Sequence, residues 1–308
     1  MKKSKTFFAC AMLAALASCS NDLSQPTAED TPIRIQANVG GITTRAAHNL
    51  LADIFSNGDA INVYITENTT NKTTSSGGTY NPMVYTHDGS QFKAATTQYF
   101  PSNGNGIDVW AVYPSTITVG TTDFTIESDQ TSDANYKNSD LMIAQKLENK
   151  TKTDDITLSF THQLSKIIVK LGKEAGVDGD LTGAVIKLTD VVKKTALTVS
   201  GDNGITLGSL SSDPGDKGEL TIGKYATDGT AAIVIPQSTG TMKFKVTLAN
   251  GGSYTANMPN TTTTFAANKE YTFTLTLKAN AITVSASINE WIKLDGGSGN
   301  ATLNSSFS

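Results

Sequence analysis

The chain has 308 residues, a formal net charge of −4, few aromatic residues and two cysteines. This length allows two domains of about 120 to 150 residues. The acidic balance argues against nucleic-acid binding, which needs a basic face. We expect no disulfide in the mature fold, because Cys10 would leave with an N-terminal signal peptide and Cys19 would serve as an anchor.

The N-terminus carries the signals of an exported lipoprotein. Three lysines precede an apolar run over residues 6–17, and Leu16-Ala17-Ser18-Cys19 is a small-residue cleavage site ending in cysteine, a lipobox. Cleavage of the signal peptide, 1–18, would leave Cys19 to carry several acyl chains, which make membrane anchoring stable. An ordinary secretory peptide is the alternative, although it needs no cysteine at the cut. The run is shorter than the ~20 residues of a transmembrane helix.

A strand and an arginine follow this anchor, within a leader that spans 19–45. Residues 33–39 are apolar at alternate positions, the period of a half-buried strand. Arg34 and Arg45 are the only arginines of the chain, so an arginine-specific protease would find no site from Ala46 onward. We expect Arg34 to be paired within the strand. Taken alone, the restriction of arginine to the leader is explained better by a general preference for lysine in the chain, with Arg45 in a solvated loop.

The first half of the body, 46–155, contains short strand patterns separated by turns. The strands are predicted over residues 61–65, 80–86, 107–113 and 139–144. The segment that ends at Pro101 and the strand 107–113 are predicted to form a hairpin. The charged run 148–155 is typical of an inter-domain connection, which places the domain boundary near Asp155.

The second half, 156–308, continues in the same way. It begins with a long strand over 156–171 whose change of phase near Gln163 predicts a bulge. Further strands are predicted over residues 184–189, 196–199, 219–222, 231–236, 242–248, 253–258, 271–277 and 282–291. Most of the joints are Gly, Asn or Asp turns, and long helical patterns are missing. The sequence therefore predicts an all-β fold of two tandem antiparallel β-sandwiches.

No motif points to catalysis, a metal or a cofactor. His48, His87 and His162 are far apart and lack metal-ligand spacing, and nucleotide-binding and hydrolase motifs are missing. His162 is predicted to be a hydrogen-bonded, half-buried strand residue. Trp110 and Trp291 fall on predicted strands, where we expect them in the core rather than stacked on sugars. We therefore expect a protein that is not an enzyme.

Several short motifs occur in a specific order along nearly the whole chain. After the lipobox they are Thr44-Arg45-Ala46, Gly58-Asp59-Ala60-Ile61-Asn62-Val63-Tyr64, Ala111-Val112-Tyr113-Pro114, Phe160-Thr161-His162-Gln163-Leu164-Ser165-Lys166-Ile167, Asn268-Lys269-Glu270-Tyr271-Thr272-Phe273 and Ile288-Asn289-Glu290-Trp291. In this order they resemble the fimbrillin family of type V pilins, which includes the Mfa-like and FimA-like fimbrial subunits. The resemblance implies transthyretin-like sandwiches, a lipoprotein precursor, and proteolytic removal of an N-terminal strand after an arginine. The emptied groove would then accept a strand of the next subunit.

The C-terminal run 282–291 is a candidate for that donated strand. Ile282, Val284, Ala286 and Ile288 would fill successive pockets of the next subunit, and Trp291 would add a large anchor. A strand that closes its own domain has the same period. In that case a donor would lie in the tail around Leu303 and Phe307, or be absent.

Two functions are compatible with these features. One is a structural subunit of a cell-surface fimbrium, anchored first in the outer membrane through Cys19, cut by an arginine-specific protease after Arg45, assembled with other fimbrial subunits and supporting adhesion. The other is a non-polymerising outer-membrane lipoprotein that binds glycan or protein. The leader favours the first function, because a binding protein has no use for a removable strand that ends in arginine.

Overall fold

Short β-strands make up nearly all of the regular structure, as expected for a chain rich in Thr, Val, Ile and Gly turns. The structure is a computed structural model that describes residues 31–39, 55–68, 82–200, 204–279 and 281–291. Its first eight strands are β1 (Ile35–Val39), β2 (Ala60–Glu67), β3 (Met83–His87), β4 (Phe92–Ala94), β5 (Ile107–Tyr113), β6 (Asp123–Thr125), β7 (Met142–Lys150) and β8 (Ile156–His162). One short helix, α1 (Asp133–Asn138), precedes β7.

Twelve further strands follow in the second half of the described chain. They are β9 (Ser165–Lys173), β10 (Val185–Val192), β11 (Lys194–Ser200), β12 (Gly204–Leu210), β13 (Lys217–Lys224), β14 (Thr230–Val234), β15 (Gln237–Ser238), β16 (Lys243–Thr247), β17 (Ser253–Asn257), β18 (Thr264–Phe265), β19 (Lys269–Lys278) and β20 (Ala281–Glu290). A single turn of 3₁₀ helix (Pro214–Asp216) precedes β13.

Seven strands of the N-terminal half form a closed barrel in the order β1-β4-β3-β2-β5-β7-β8. The barrel closes because β1 pairs on one side with β4 and on the other with β8. Its interior is filled by alternate apolar side chains, among them Ile61, Val63, Val109 and Phe160, each fully buried. The predicted N-terminal sandwich therefore takes the form of a barrel whose first strand comes from the leader.

The C-terminal half is a sandwich of two four-stranded sheets, with orders β13-β10-β16-β17 and β14-β9-β19-β20. The two sheets share one core, in which Phe244 of β16 lies 4.9 Å from Phe273 of β19 between ring centroids. Strand β20 stands at the edge of its sheet, with β19 as its hydrogen-bonded neighbour. Burial on one face explains why these strands alternate apolar and polar residues.

The two halves are joined by a shared sheet, by hydrogen bonds and by a common apolar cluster, in addition to the covalent connection. Strand β6, from the N-terminal half, pairs with β11 in a three-stranded sheet of order β12-β11-β6. The fully buried Gln130 then makes two hydrogen bonds to the backbone of Ile233, one as acceptor at 2.7 Å and one as donor at 2.9 Å. Tyr64 and Trp110 of the barrel belong to the same apolar cluster as the core of the sandwich.

The all-β prediction is confirmed, and four local predictions differ from the structure. The segment before Pro101 forms no hairpin with β5, which pairs with β2 and β7. Part of the charged run 148–155 lies in β7, which continues to Lys150. Two pairings, β1 with β8 and β9 with β19, are parallel where antiparallel sheets were expected.

The fourth difference concerns the long strand predicted over 156–171. It is two strands, because β8 pairs with β7 and β1 in the barrel whereas β9 pairs with β14 and β19 in the sandwich. The change of phase at Gln163 marks the step from one sheet to another, so it is no bulge. Strand pairing thus changes after His162, beyond the boundary predicted near Asp155.

Candidate assembly site

The leader strand β1 completes the barrel. Its five residues pair in parallel with β8, from Ile35 opposite Ile156 to Val39 opposite Phe160, and Ile35 also pairs with Phe92 of β4. Both flanking strands are distant from β1 in sequence, so the interaction is between segments that become neighbours only in the fold. An excised β1 would therefore leave two strand edges, those of β4 and β8, with unpaired backbone groups.

The alternation predicted for this strand is confirmed by burial. Ile33, Ile35 and Val39 are 5, 2 and 3% exposed and belong to the barrel core, whereas Arg34 and Gln36 are exposed. A strand with one face in the core and the other in solvent has a defined register, because a slip of one residue would turn every apolar side chain outward.

The chain just before β1 is also held. The Ile33 amide donates to the carbonyl of Gln98 at 2.7 Å, and the Phe100 amide donates to the carbonyl of Thr31 at 3.0 Å. Arg34 lies directly before β1, which begins at Ile35, and belongs to no strand. The prediction that it is paired within the strand is therefore wrong. Its backbone is nevertheless bracketed by paired neighbours on both sides.

The predicted lipidation and processing residues, Cys19, Arg45 and Ala46, lie outside the described residues. The structure resumes at Phe55, whose ring makes edge contacts with three barrel rings, at centroid distances of 5.0 Å to Phe92, 5.1 Å to Phe160 and 5.7 Å to Tyr113. Phe92 and Phe160 are also register partners of β1. Aromatic edge contacts of this kind contribute about 0.5 to 1.5 kcal/mol each beyond the area they bury.

A polar cluster fixes the backbone that follows Phe55. The Lys137 ammonium of α1 lies 2.7 Å from an Asp59 carboxylate oxygen and 2.6 Å from the Ser56 hydroxyl, and the Ser56 amide donates to the other Asp59 oxygen at 2.6 Å. The chain therefore enters β2 through a fixed turn, in which Gly58 adopts a φ of 90° that favours glycine.

Burial perturbs two tyrosines of the barrel. It raises the pKa of Tyr85 to about 12, and the Tyr85 hydroxyl has no hydrogen-bond partner among the described residues. Burial also raises the pKa of Tyr113, with a further contribution from the negative charges of Asp59 and Asp140. Both phenols therefore stay neutral in the folded barrel at physiological pH.

The candidate donor residues lie on β20, which is paired with β19 through ten registered positions, from Lys278 opposite Ala281 to Lys269 opposite Glu290. Ile282, Val284 and Ala286 are half-buried against the sandwich core, whereas Ile288 is 50% exposed. The strand therefore occupies the edge of its own sheet in this structure. The tail residues Leu303 and Phe307 lie outside the described residues.

Trp291, the residue after β20, is buried more deeply than the apolar side chains of the strand itself. Its ring is 4% exposed and stacks on His162, with centroids 3.5 Å apart and planes 7° apart. His162 Nδ1 lies 2.8 Å from an Asp140 carboxylate oxygen. His162 is hydrogen-bonded, as predicted, but it is buried rather than half-buried. The core locations predicted for Trp110 and Trp291 are confirmed.

The described residues include neither a metal-binding cluster nor a membrane-spanning helix. Within them, no group of three or more His, Cys, Asp or Glu side chains is arranged to hold a metal ion. No helix in the part of the chain that the structure describes is long and apolar enough to cross a bilayer. The two strands of interest, β1 and β20, are held by backbone pairing, β1 between β4 and β8 and β20 against β19.

Sequence reasoning missed two contributors to this arrangement. Strand β4 has three residues, too short for a periodic pattern, yet its Phe92 pairs with Ile35 and contacts Phe55. Helix α1 was also missed, although Ser132 caps it by accepting a hydrogen bond from the Asn135 amide. A serine followed by an acidic residue is the available signal for that N-cap.

Comparisons with known structures identify the class of fold. A crystal structure of a proposed cell adhesion protein from Bacteroides uniformis matches with a TM-score of 0.64 and 24% identity, covering 87% of this chain and 100% of that one. A second such protein, from Bacteroides ovatus, matches with a TM-score of 0.61 and 20% identity, covering 86% and 99%. The arrangement of strands is therefore the all-β fold that these two proteins share.

Sequence comparisons define the family within that class. A proposed fimbrium subunit of Bacteroides uniformis, Fim1C, is 30% identical over an alignment that covers 95% of this chain and 97% of that protein. The sequence model of the fimbrillin-like family matches residues 44–291. The chain belongs to the fimbrillin-like family, as its motifs suggested.

Proposed function

We propose that this chain is a structural subunit of a cell-surface fimbrium. It is exported as an outer-membrane precursor anchored through Cys19, and cleavage after Arg45 cuts the covalent link between the leader strand and the body, so that the strand can be exchanged during assembly. Membership of the fimbrillin-like family supports the surface role. The observation that carries the assembly step is the position of β1, a short strand that closes the barrel between β4 and β8.

The geometry of β1 defines what a replacement strand must provide. Removal of the leader residues 33–39, which include β1, would empty the sites of Ile33, Ile35 and Val39 in the barrel core. A replacement must run parallel to β8 and antiparallel to β4, as β1 does. It also needs apolar residues at alternate positions, so that backbone pairing supplies affinity and the side chains supply register.

Cleavage alone would not empty this site. The nicked leader would still be paired with β8 and packed in the core, so it would be held without a covalent bond. Assembly therefore requires displacement of β1 by another strand, and the exchange is driven by whichever strand binds better. The next subunit of the fimbrium is the partner that would supply it.

Two segments are candidates for the donated strand. Strand β20 has the required length and alternation, and as an edge strand it has β19 as the neighbour it would lose. The tail beyond Trp291, with Leu303 and Phe307, is the other. If the tail is the donor, deletion of 292–308 blocks filament growth. The truncated subunit is expected to keep its fold. If β20 is donated, deletion of 282–308 yields trimmed subunits that cap a filament without extending it.

The processing step is tested by a matched pair of arginine variants in cells that lack their own copy of the subunit. Arg45→Ala is expected to abolish filaments and leave a stable lipidated monomer, because the leader stays covalently attached. Arg34→Ala, which changes the other arginine of the leader, is expected to assemble normally. Filaments of normal number in the Arg45→Ala strain would refute the proposal.

A peptide tests the groove separately from processing. The peptide with the sequence of residues 31–39 is expected to bind a subunit that begins at Ala46 and to raise its melting temperature. A control peptide with aspartate in place of Ile33 and Ile35 should not bind. Equal binding of the two peptides would show that the apolar face of β1 does not select the strand.

A further inference from the structure

Five buried or half-buried side chains surround the C-terminal end of β20. They form the Trp291 cluster: Trp291, His162, Asp140, Lys166 and Glu270. Besides its stack on His162, the Trp291 indole lies beneath the Lys166 ammonium, which is 5.8 Å from the ring centroid. The Trp291 amide also donates to the carbonyl of Asn268 at 3.1 Å. Both the ring and the backbone of this residue are therefore fixed.

The cluster is built from both halves of the molecule. His162 is the last residue of the barrel strand β8, and its partner Asp140 precedes β7. Lys166 lies on β9 of the sandwich, is fully buried, and is 3.4 Å from a carboxylate oxygen of Glu270 on β19. Trp291 thus contacts both the barrel and the sheet that contains β20.

Burial along β20 is unequal. Its inward residues Ile282, Val284 and Ala286 are half-buried, Ile288 is 50% exposed, and the strand has a sheet neighbour on one side. Trp291 is 4% exposed. The more deeply buried apolar side chain at this edge is therefore the one that follows the strand, and it is of the kind that dominates core and interface energies.

The position of His162 also connects this end to the leader strand. Strand β8 pairs with β1 over residues 156–160, and His162 lies two residues beyond the last of these pairs. Displacement of β1 removes one of the two neighbours of β8, the strand that presents His162 to Trp291, and leaves β8 supported by β7 alone, through the pairing of His162 with Met142 and its neighbours. A change at the leader can therefore alter the hold on β20 without touching it.

We propose that the Trp291 cluster secures the C-terminal end of β20 and couples its hold to the presence of β1. While β1 is in place, β20 is kept in its own sheet. Loss of β1 loosens β20 and exposes the edge of β19 to pairing. Such coupling between sites is reciprocal, so loosening Trp291 also weakens the binding of β1. The hold on β20 is independent of the fimbrial proposal, and only its use in assembly rests on that proposal.

Hydrogen exchange of the unprocessed chain, followed by mass spectrometry, tests the hold. Trp291→Ala is expected to speed exchange in 281–290 by about 100-fold, in keeping with the loss of a buried tryptophan, while β2 and β5 stay protected. Trp291→Phe, which keeps an aromatic ring on His162, should restore most of the protection. The control is Trp110→Phe, which alters the other buried tryptophan and should leave 281–290 unchanged.

A double-mutant cycle tests the coupling. Ile35→Ala, which weakens β1, is expected to speed exchange in 281–290 by about fivefold or more. In a chain that also carries Trp291→Ala, the same change should have less than about a twofold effect. An Ile35→Ala effect of equal size in both backgrounds would overturn the coupling.

Two other outcomes would also overturn the inference. Unchanged exchange in 281–290 in the Trp291→Ala chain would mean that β20 is held along its length. A rise spread evenly over β9, β19 and β20 would mean that Trp291 is core filling without a specific hold on the edge. If Trp291→Ala fails to fold, His162→Gln removes the stack and keeps a group that can hydrogen-bond Asp140, and the same selective rise is expected from it.

Discussion

Truncation of one leader side chain should destabilise a barrel that lies mostly more than twenty residues further along the chain. Ile35 is 2% exposed and packs in the barrel core, so Ile35→Ala removes three buried carbon groups, worth about 2.4 kcal/mol at ~0.8 kcal/mol each. The cavity that remains raises the loss of unfolding free energy to about 3 to 4 kcal/mol. The matched control is Gln36→Ala, at an exposed position of the same strand, where a change within about 0.5 kcal/mol is expected.

Urea unfolding followed by the fluorescence of Trp110 and Trp291 measures both variants. Both tryptophans are buried, so unfolding changes their surroundings. The Ile35→Ala midpoint should fall at an unchanged slope, and its melting temperature should fall by about 6 to 12 °C, whereas Gln36→Ala should match the wild type. Equal midpoints for the two variants would refute the argument that the leader strand is part of the barrel core.

Three further predictions concern the anchor, the barrel and the leader site. Labelled palmitate should enter the wild type and not Cys19→Ala, and equal labelling would end the lipoprotein assignment. Because burial raises the pKa of Tyr85 to about 12, the folded state keeps this proton longer than the unfolded state. The contribution of this proton to the free energy of unfolding is fully present below pH 10 and is lost as pH rises toward 12, by about 3 kcal/mol at most. Between pH 8 and 11 the free energy of unfolding should therefore fall less in Tyr85→Phe than in the wild type. Limited digestion of the precursor with an arginine-specific protease should give a product that starts at Ala46, and an intact precursor would mean that Arg45 is inaccessible.

The fold could be predicted well where burial on one face leaves a period in the sequence. The sequence predicts the strands over 107–113 and 282–291 almost to the residue, because apolar side chains mark the strands and Gly, Asn or Asp mark the turns. The alternation of residues 33–39 likewise predicts a strand, which the structure shows as β1. The same pattern predicts the core positions of Trp110 and Trp291.

What the sequence could not supply was pairing between distant segments. Residues 156–162 have the same period whether the strand continues past Gln163 or the chain changes sheet there. The sequence therefore predicts one strand where the structure has two, β8 and β9. No local sequence pattern predicts that β1 pairs with β8, or that Trp291 stacks on His162, because each contact joins residues more than a hundred positions apart. Short strands such as β4 are too brief to carry a period at all.

The N-terminal sequence of subunits taken from purified surface filaments tests the central claim most directly. We predict that filament subunits begin at Ala46 and lack residues 33–39, because β1 must leave before another strand can close the barrel. Assembled subunits that still begin at Cys19 and contain β1 would contradict it.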